Sequence, residues 1–163
     1  MKRTIFLAAC AAIFALPAVA CDGIHVEDPY ARASTAMSQS GAAFMRLVNH
    51  GDAECRLIGA QSDAAQRVEL HTHIEDDAGV MRMIEVTEGF VIPAHGEHAL
   101  DRGGDHLMFL GLNQTFDHGD DLQVTLRFEE GDDMQIIIPV DLERAPDHGA
   151  SHGHSHDHSH SHD

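Results

Sequence analysis

The chain has no Trp, one Tyr and three Cys in 163 residues, and only ten Lys and Arg against 27 Asp and Glu. A formal charge of −17 argues against a nucleic-acid partner, because gripping phosphates takes an excess of Lys and Arg. The same shortage of base argues against docking on anionic lipid. No CxxC pair occurs, which counts against thioredoxin-type exchange. Neither a Ser–His–Asp signature nor a His set bridged by a carboxylate points to an enzyme. Beyond residue 20 no apolar run approaches bilayer-spanning length. What is abundant is His, fifteen of them, beside seven Met. Imidazole and thioether are ligands for borderline and soft metal ions, so metal binding is the first function to consider.

Residues 1–20 place Lys2 and Arg3 before an apolar run that ends in Pro17 and the small-residue pattern Ala18-Val19-Ala20. This pattern predicts a secretory signal cleaved before Cys21, and hence an exported, periplasmic protein. Cys21 as first mature residue leaves lipid attachment as a less favoured alternative, because Ala18 stands where such sites prefer a larger aliphatic residue. In an oxidising compartment Cys21 and Cys55 are expected to pair, with a Cys55 thiolate ligand as the rival reading.

Residues 21–144 alternate short β-branched or apolar runs with Gly- and Asp-rich turns. The runs are 24–26, 42–49, 56–60, 67–74, 80–86, 90–92, 97–100, 105–112, 122–129 and 134–142. Turns at such close spacing predict an all-β, antiparallel sandwich or barrel. Leu122, Val124, Leu126 and Phe128 alternate as in a half-buried strand, and Ile136-Ile137-Ile138 reads as a strand covered on both faces. A helical turn has room only at 34–41 or 62–66.

Metal-capable side chains recur at spacing two: His71 and His73, Met81 and Met83, His106 and Met108. On a strand, residues i and i+2 point to the same side, so each pair presents both members to one face. The first two pairs flank the turn at 76–79 and suit a hairpin with His opposite Met. The third begins just after Gly103-Gly104, at a strand end where exposed ligands are expected. Neutral His and Met together favour Cu(I); Mg and Ca want oxygen, and zinc more commonly recruits Cys, His or carboxylate.

Together the stretches VELHTH, GVMRM and LDRGGDHLMFLGL resemble the PCu(A)C family of periplasmic copper chaperones. The family motif is a His, a Met about ten residues on, and an HxM some twenty residues later. His71, Met83, His106 and Met108 match it, with 22 residues between Met83 and His106, one more than usual. His73 and Met81 stand in reserve. The resemblance implies a cupredoxin-like β-sandwich that binds Cu(I), and a monomer is expected. It also implies delivery to the dinuclear centre of cytochrome c oxidase, through an oxidase subunit or another assembly chaperone.

From residue 145 the chain changes character. His148, His152, His154, His156, His158, His160 and His162 alternate with Ser, Gly and Asp, without a large aliphatic residue. Such a segment cannot bury enough apolar surface to order itself, and a disordered tail is expected. Its neutral imidazoles suit Cu(II), with zinc possible. Two alternatives to a copper carrier remain at this level: an electron-transfer cupredoxin, which needs a Cys thiolate, and a copper or zinc sponge acting through the tail.

Overall fold

The computed structural model describes residues 21–145, apart from Ala36. The predicted leader at 1–20 and the tail histidines from His148 onward lie outside the described residues. Ten strands make up the domain: β1 (Ile24–Ala33), β2 (Ser40–Asn49), β3 (Cys55–Gln61), β4 (Ala65–Glu75), β5 (Met81–Glu85), β6 (Phe90–Ile92), β7 (Glu97–Leu100), β8 (His106–Leu112), β9 (Asp121–Phe128) and β10 (Met134–Pro139). The main path runs β1-β2-β8-β4-β3-β9-β10, with β5 added to β4, β6 to β3 and β7 to β2. All strand pairs are antiparallel, and one parallel bridge from Ala31 to Val140 brings the two ends of the path together. The result is a nearly closed all-β barrel, the architecture the turn spacing predicts. Among the described residues no helix is long and apolar enough to cross a membrane.

Alternation builds the interior. Leu122, Val124, Leu126 and Phe128 on β9 are buried while their odd-numbered neighbours face outward or sit at the margin. Leu47, Leu57, Ile92, Leu100, Leu107, Phe109 and Ile138 are sealed from solvent in the same core. Cys21 and Cys55 form a disulfide with Cα atoms 5.6 Å apart, joining the chain before β1 to the start of β3. It takes up the Cys55 sulfur, so the thiolate-ligand reading of Cys55 is corrected. Nearby, buried Asn49 donates to the carbonyls of Ala53 and Ile92 and accepts from the Gly51 amide, leaving no polar atom of its side chain unmatched.

Three local expectations are corrected. Neither candidate stretch is helical among the described residues: near 34–41 the Ser38 amide donates to the Thr35 carbonyl and β2 begins at Ser40, and 65–66 already belongs to β4. The first strand continues well beyond 26, because a bulge between Glu27 and Tyr30, with Asp28 at φ 50°, absorbs Pro29 without ending the pairing to β2. The triple Ile is covered on one face only: Ile138 is buried while Ile137 is 50% exposed, as befits a strand paired to β9 alone on the main path.

Candidate metal centre

β4 carries the centre of the site. Leu70 points into the core, so Glu69, His71 and His73 share the opposite face. On one side β4 pairs with β8, setting His71 opposite His106 and Glu69 opposite Met108. On the other it pairs with β5, setting His73 opposite Met83, His71 opposite Glu85 and Glu75 opposite Met81. The three spacing-two pairs therefore converge on one face. The His-opposite-Met hairpin forms as read, with His73, the reserve ligand, as the residue facing Met83.

Two turns fix these registers. Asp76 closes the β4–β5 hairpin: its carboxylate accepts from the amides of Ala78 and Val80 and from Arg82 Nε at 2.7 Å. The Arg82 hydrogen bond first, then the Val80 amide, hold its pKa below the ordinary carboxylate value. Gly79 adopts φ +77°, a conformation open to Gly with little strain. Ahead of β8, Gly103 at φ +86° turns the chain so that the Gly104 carbonyl meets two rings. His106 Nδ1 donates to it at 2.9 Å and His73 Nδ1 at 3.3 Å.

His106 is 1% exposed, which corrects the expectation of an exposed ligand at the strand end. Burial is the main cause lowering its pKa, and the neighbouring His73 and His71 lower it further, against the raising effect of Gly104. With Nδ1–H given to Gly104, Nε2 is the lone-pair nitrogen, buried and without a partner. His71 is the mirror case. Its Nε2–H donates to Glu69 Oε2 at 3.0 Å, and Nδ1 is left buried and unpartnered. A buried acceptor left unmade costs about 1–3 kcal/mol, and here two occur side by side. The ring centres of His71 and His106 are 6.0 Å apart, and those of His73 and His106 are 5.1 Å apart. Two imidazoles sharing one ion through bonds of about 2.0 Å have ring centres no more than about 6 Å apart.

The thioethers stand on either flank. Met108 lies two residues beyond His106 on the same face, next to Ala42 of β2. Met83 is 43% and Met81 55% exposed on β5. On a flat sheet lattice Met83 and Met108 sit at opposite corners around His71, with Cα atoms about 16 Å apart. One ion takes both only if the β5 hairpin curls toward β8. Among the described residues no three His, Cys, Asp or Glu side chains form a metal-holding group by themselves. A wall the sequence reading missed completes the site: Phe44 packs 6.0 Å from His106, and Tyr30 packs 5.1 Å from Phe44. Glu69 was missed too, although its place two residues before His71 puts it on the same face.

The fold is that of a PCuAC-type domain. The chain belongs to the family described as "Putative lipoprotein LpqE-like", whose profile matches residues 24–140. It is 35% identical over 124 residues to "Putative lipoprotein Lxx21020" of Leifsonia xyli subsp. xyli, covering 76% of this chain and 73% of that protein. Among solved structures it resembles the copper-bound PCuAC domain from PmoF2 in fold, with TM-score 0.62 and 23% identity over 77% of this chain and 98% of that one. It also resembles the Cu(I) form of DR1885 from Deinococcus radiodurans, with TM-score 0.54 and 28% identity over 74% of this chain and 80% of that one.

Proposed function

We propose that this protein is a periplasmic copper chaperone that carries Cu(I) and is not an enzyme. The observation that carries the reading is the pair of buried, unpartnered nitrogens, His71 Nδ1 and His106 Nε2, on a face edged by Met108 and Met83. Each nitrogen gains by meeting a cation, and each ring is held by its second nitrogen. Met108 completes a compact set with the two rings, and Met83 closes it when the hairpin curls in. His73, facing Met83 and hydrogen-bonded to the carbonyl that holds His106, is the alternate third imidazole. Neutral ligands leave the single charge of Cu(I) uncancelled within the site, and the Glu69 carboxylate behind His71 balances it.

A carrier must also let go. Thioethers bind weakly enough for an acceptor's thiolates to enter before the donor's ligands leave, and Met does not oxidise to a disulfide in an oxidising compartment. The acceptor we assign is the dinuclear copper centre of a cytochrome c oxidase subunit, reached directly or through another assembly chaperone. In this reading the tail, from His148 to His162, captures Cu(II). The cupredoxin alternative loses its support because a blue-copper site needs a thiolate, and the Cys55 sulfur is bonded to Cys21. X-ray absorption of the Cu(I)-loaded protein tests the proposal. Sulfur and nitrogen neighbours are expected, with sulfur lost in Met83→Ala plus Met108→Ala. A shell of oxygen and nitrogen alone refutes it.

A further inference from the structure

The barrel carries a second pair of imidazoles, away from the His71–His106 face. His25 lies on β1 opposite Val48 of β2, and His50 follows two residues after Val48. Residues two apart on a strand share a face, so His25 and His50 are diagonal neighbours, a placement that long and aromatic side chains bridge. Their chain neighbours Ile24 and Asn49 are buried, which turns both rings out to solvent. The ring centres are 5.0 Å apart and the planes are inclined by 69°. His50 stands six residues beyond Phe44, the ring that packs against His106, or roughly 20 Å along the strand direction.

The backbone beneath this pair is tied down. The His50 amide donates to the Gly23 carbonyl at 2.9 Å, the Asn49 amide to Gly96 at 2.8 Å and the His95 amide to Gly51 at 3.2 Å. A Cβ on Gly23 would come within 2.5 Å of the Gly51 nitrogen, so these two segments pack backbone to backbone. The Cys21–Cys55 disulfide and the Asn49 side chain fasten the same segments. The two rings themselves are not engaged. Imidazole hydrogen bonds among the described residues are made by His71, His73, His98, His106 and His118, and His95 takes the ion pair with Asp52.

Two rings bound to one ion through nitrogen at about 2.0–2.1 Å, at angles between square and tetrahedral, have centres about 4.5–5.2 Å apart. The separation of His25 and His50 falls inside that range. The structure assigns to His25 and His50 a second metal site, which takes a borderline divalent cation, Cu(II) before Zn(II). Two imidazole nitrogens with water in the remaining positions suit these ions, and Cu(II) stands highest in the affinity order. With no thioether in the pair, Cu(I) gains less here than beside Met108. Asp52, two residues beyond His50 and bonded to His95 Nε2 at 2.9 Å, adds negative charge to the same loop. Binding forms two bonds from nitrogen lone pairs to the ion and releases water, and no electron is transferred. The site uses none of the residues of the Cu(I) face, so it stands or falls separately from the copper-carrier reading.

The test uses the full-length chain with all seven tail His from His148 to His162 replaced by Ser, so that the tail does not take up the added ion. Cu(II) is titrated in while backbone amide NMR signals are followed, since the paramagnetic ion broadens the amides nearest to it. Signals of residues 23–26 and 48–52 are expected to broaden as a group, and His25→Gln and His50→Gln should each raise the Cu(II) concentration required roughly a hundredfold, the low end of what two linked ligands gain over one. Both side chains are exposed, so these exchanges should leave the remaining amide signals in place. No broadening at 23–26 and 48–52 in excess Cu(II), or broadening there that survives unchanged in either variant, would overturn the assignment.

Discussion

Replacing Glu69 by Gln is the sharpest probe of the centre, because it changes charge while keeping shape. Glu69 Oε2 accepts from His71 Nε2 at 3.0 Å, and both side chains are largely covered, at 13% and 15% exposure. A hydrogen bond to a charged group contributes about 1.5–3 kcal/mol and a neutral one about 0.5–1.5. The exchange therefore removes roughly 1–1.5 kcal/mol of the preference for His71 as the Nε2–H tautomer, the form that leaves Nδ1 free for metal. It also removes the negative charge behind the cation. Cu(I) affinity is expected to fall about tenfold, the lower end of the loss seen when partners behind metal-bound histidines are changed. Competition against a chromophoric Cu(I) chelator, without oxygen, measures it. Long-range nitrogen NMR of the apo protein reports the tautomer directly, a readout that general loosening of the fold would not reproduce. Affinity within twofold of wild type, together with an unchanged His71 tautomer, would refute the assigned roles of both residues.

Two further outcomes follow from the geometry. If Met83 reaches the ion only when its hairpin curls in, Cu(I) loading should slow hydrogen exchange at the β5 amides, Met81–Glu85; protection that stays level would remove Met83 from the ligand set. Replacing Cys55 by Ser opens a cross-link spanning 34 residues, for which chain entropy alone gives a loss of about 3.8 kcal/mol. Urea unfolding measures that loss, while the Cu(I) stoichiometry of the folded fraction should stay the same, since neither sulfur belongs to the site.

Strand positions and facing were legible in the chain because alternation is a local property. The β6 and β7 bounds are those of the predicted runs, and the three spacing-two His and Met pairs face as their spacing requires. Neighbours were not legible. That β4 lies between β8 and β5, so that His106 meets His71 and Met83 meets His73, depends on pairings between residues far apart in sequence, which no short pattern encodes. The burial of His106 was hidden for the same reason. It is set by Phe44 on β2 and by the carbonyl of Gly104, neither of which marks itself as a partner. Ile136-Ile137-Ile138 misled because composition reports hydrophobicity, whereas coverage depends on what stacks above each face, and Ile137 is left half exposed.

The bridge at the start of β1 has a bearing on where the molecule can reside. An acyl-glyceride anchor on Cys21 would be a thioether through the one sulfur atom that the bond to Cys55 consumes. Tethering and stapling are therefore competing fates of a single atom. A copy lipidated at Cys21 would carry Cys55 as an unpaired thiol in the core, and a copy with the staple closed would lack that lipid. Intact-mass measurement after thiol alkylation sorts the two populations, and their ratio says which fate of that sulfur prevails.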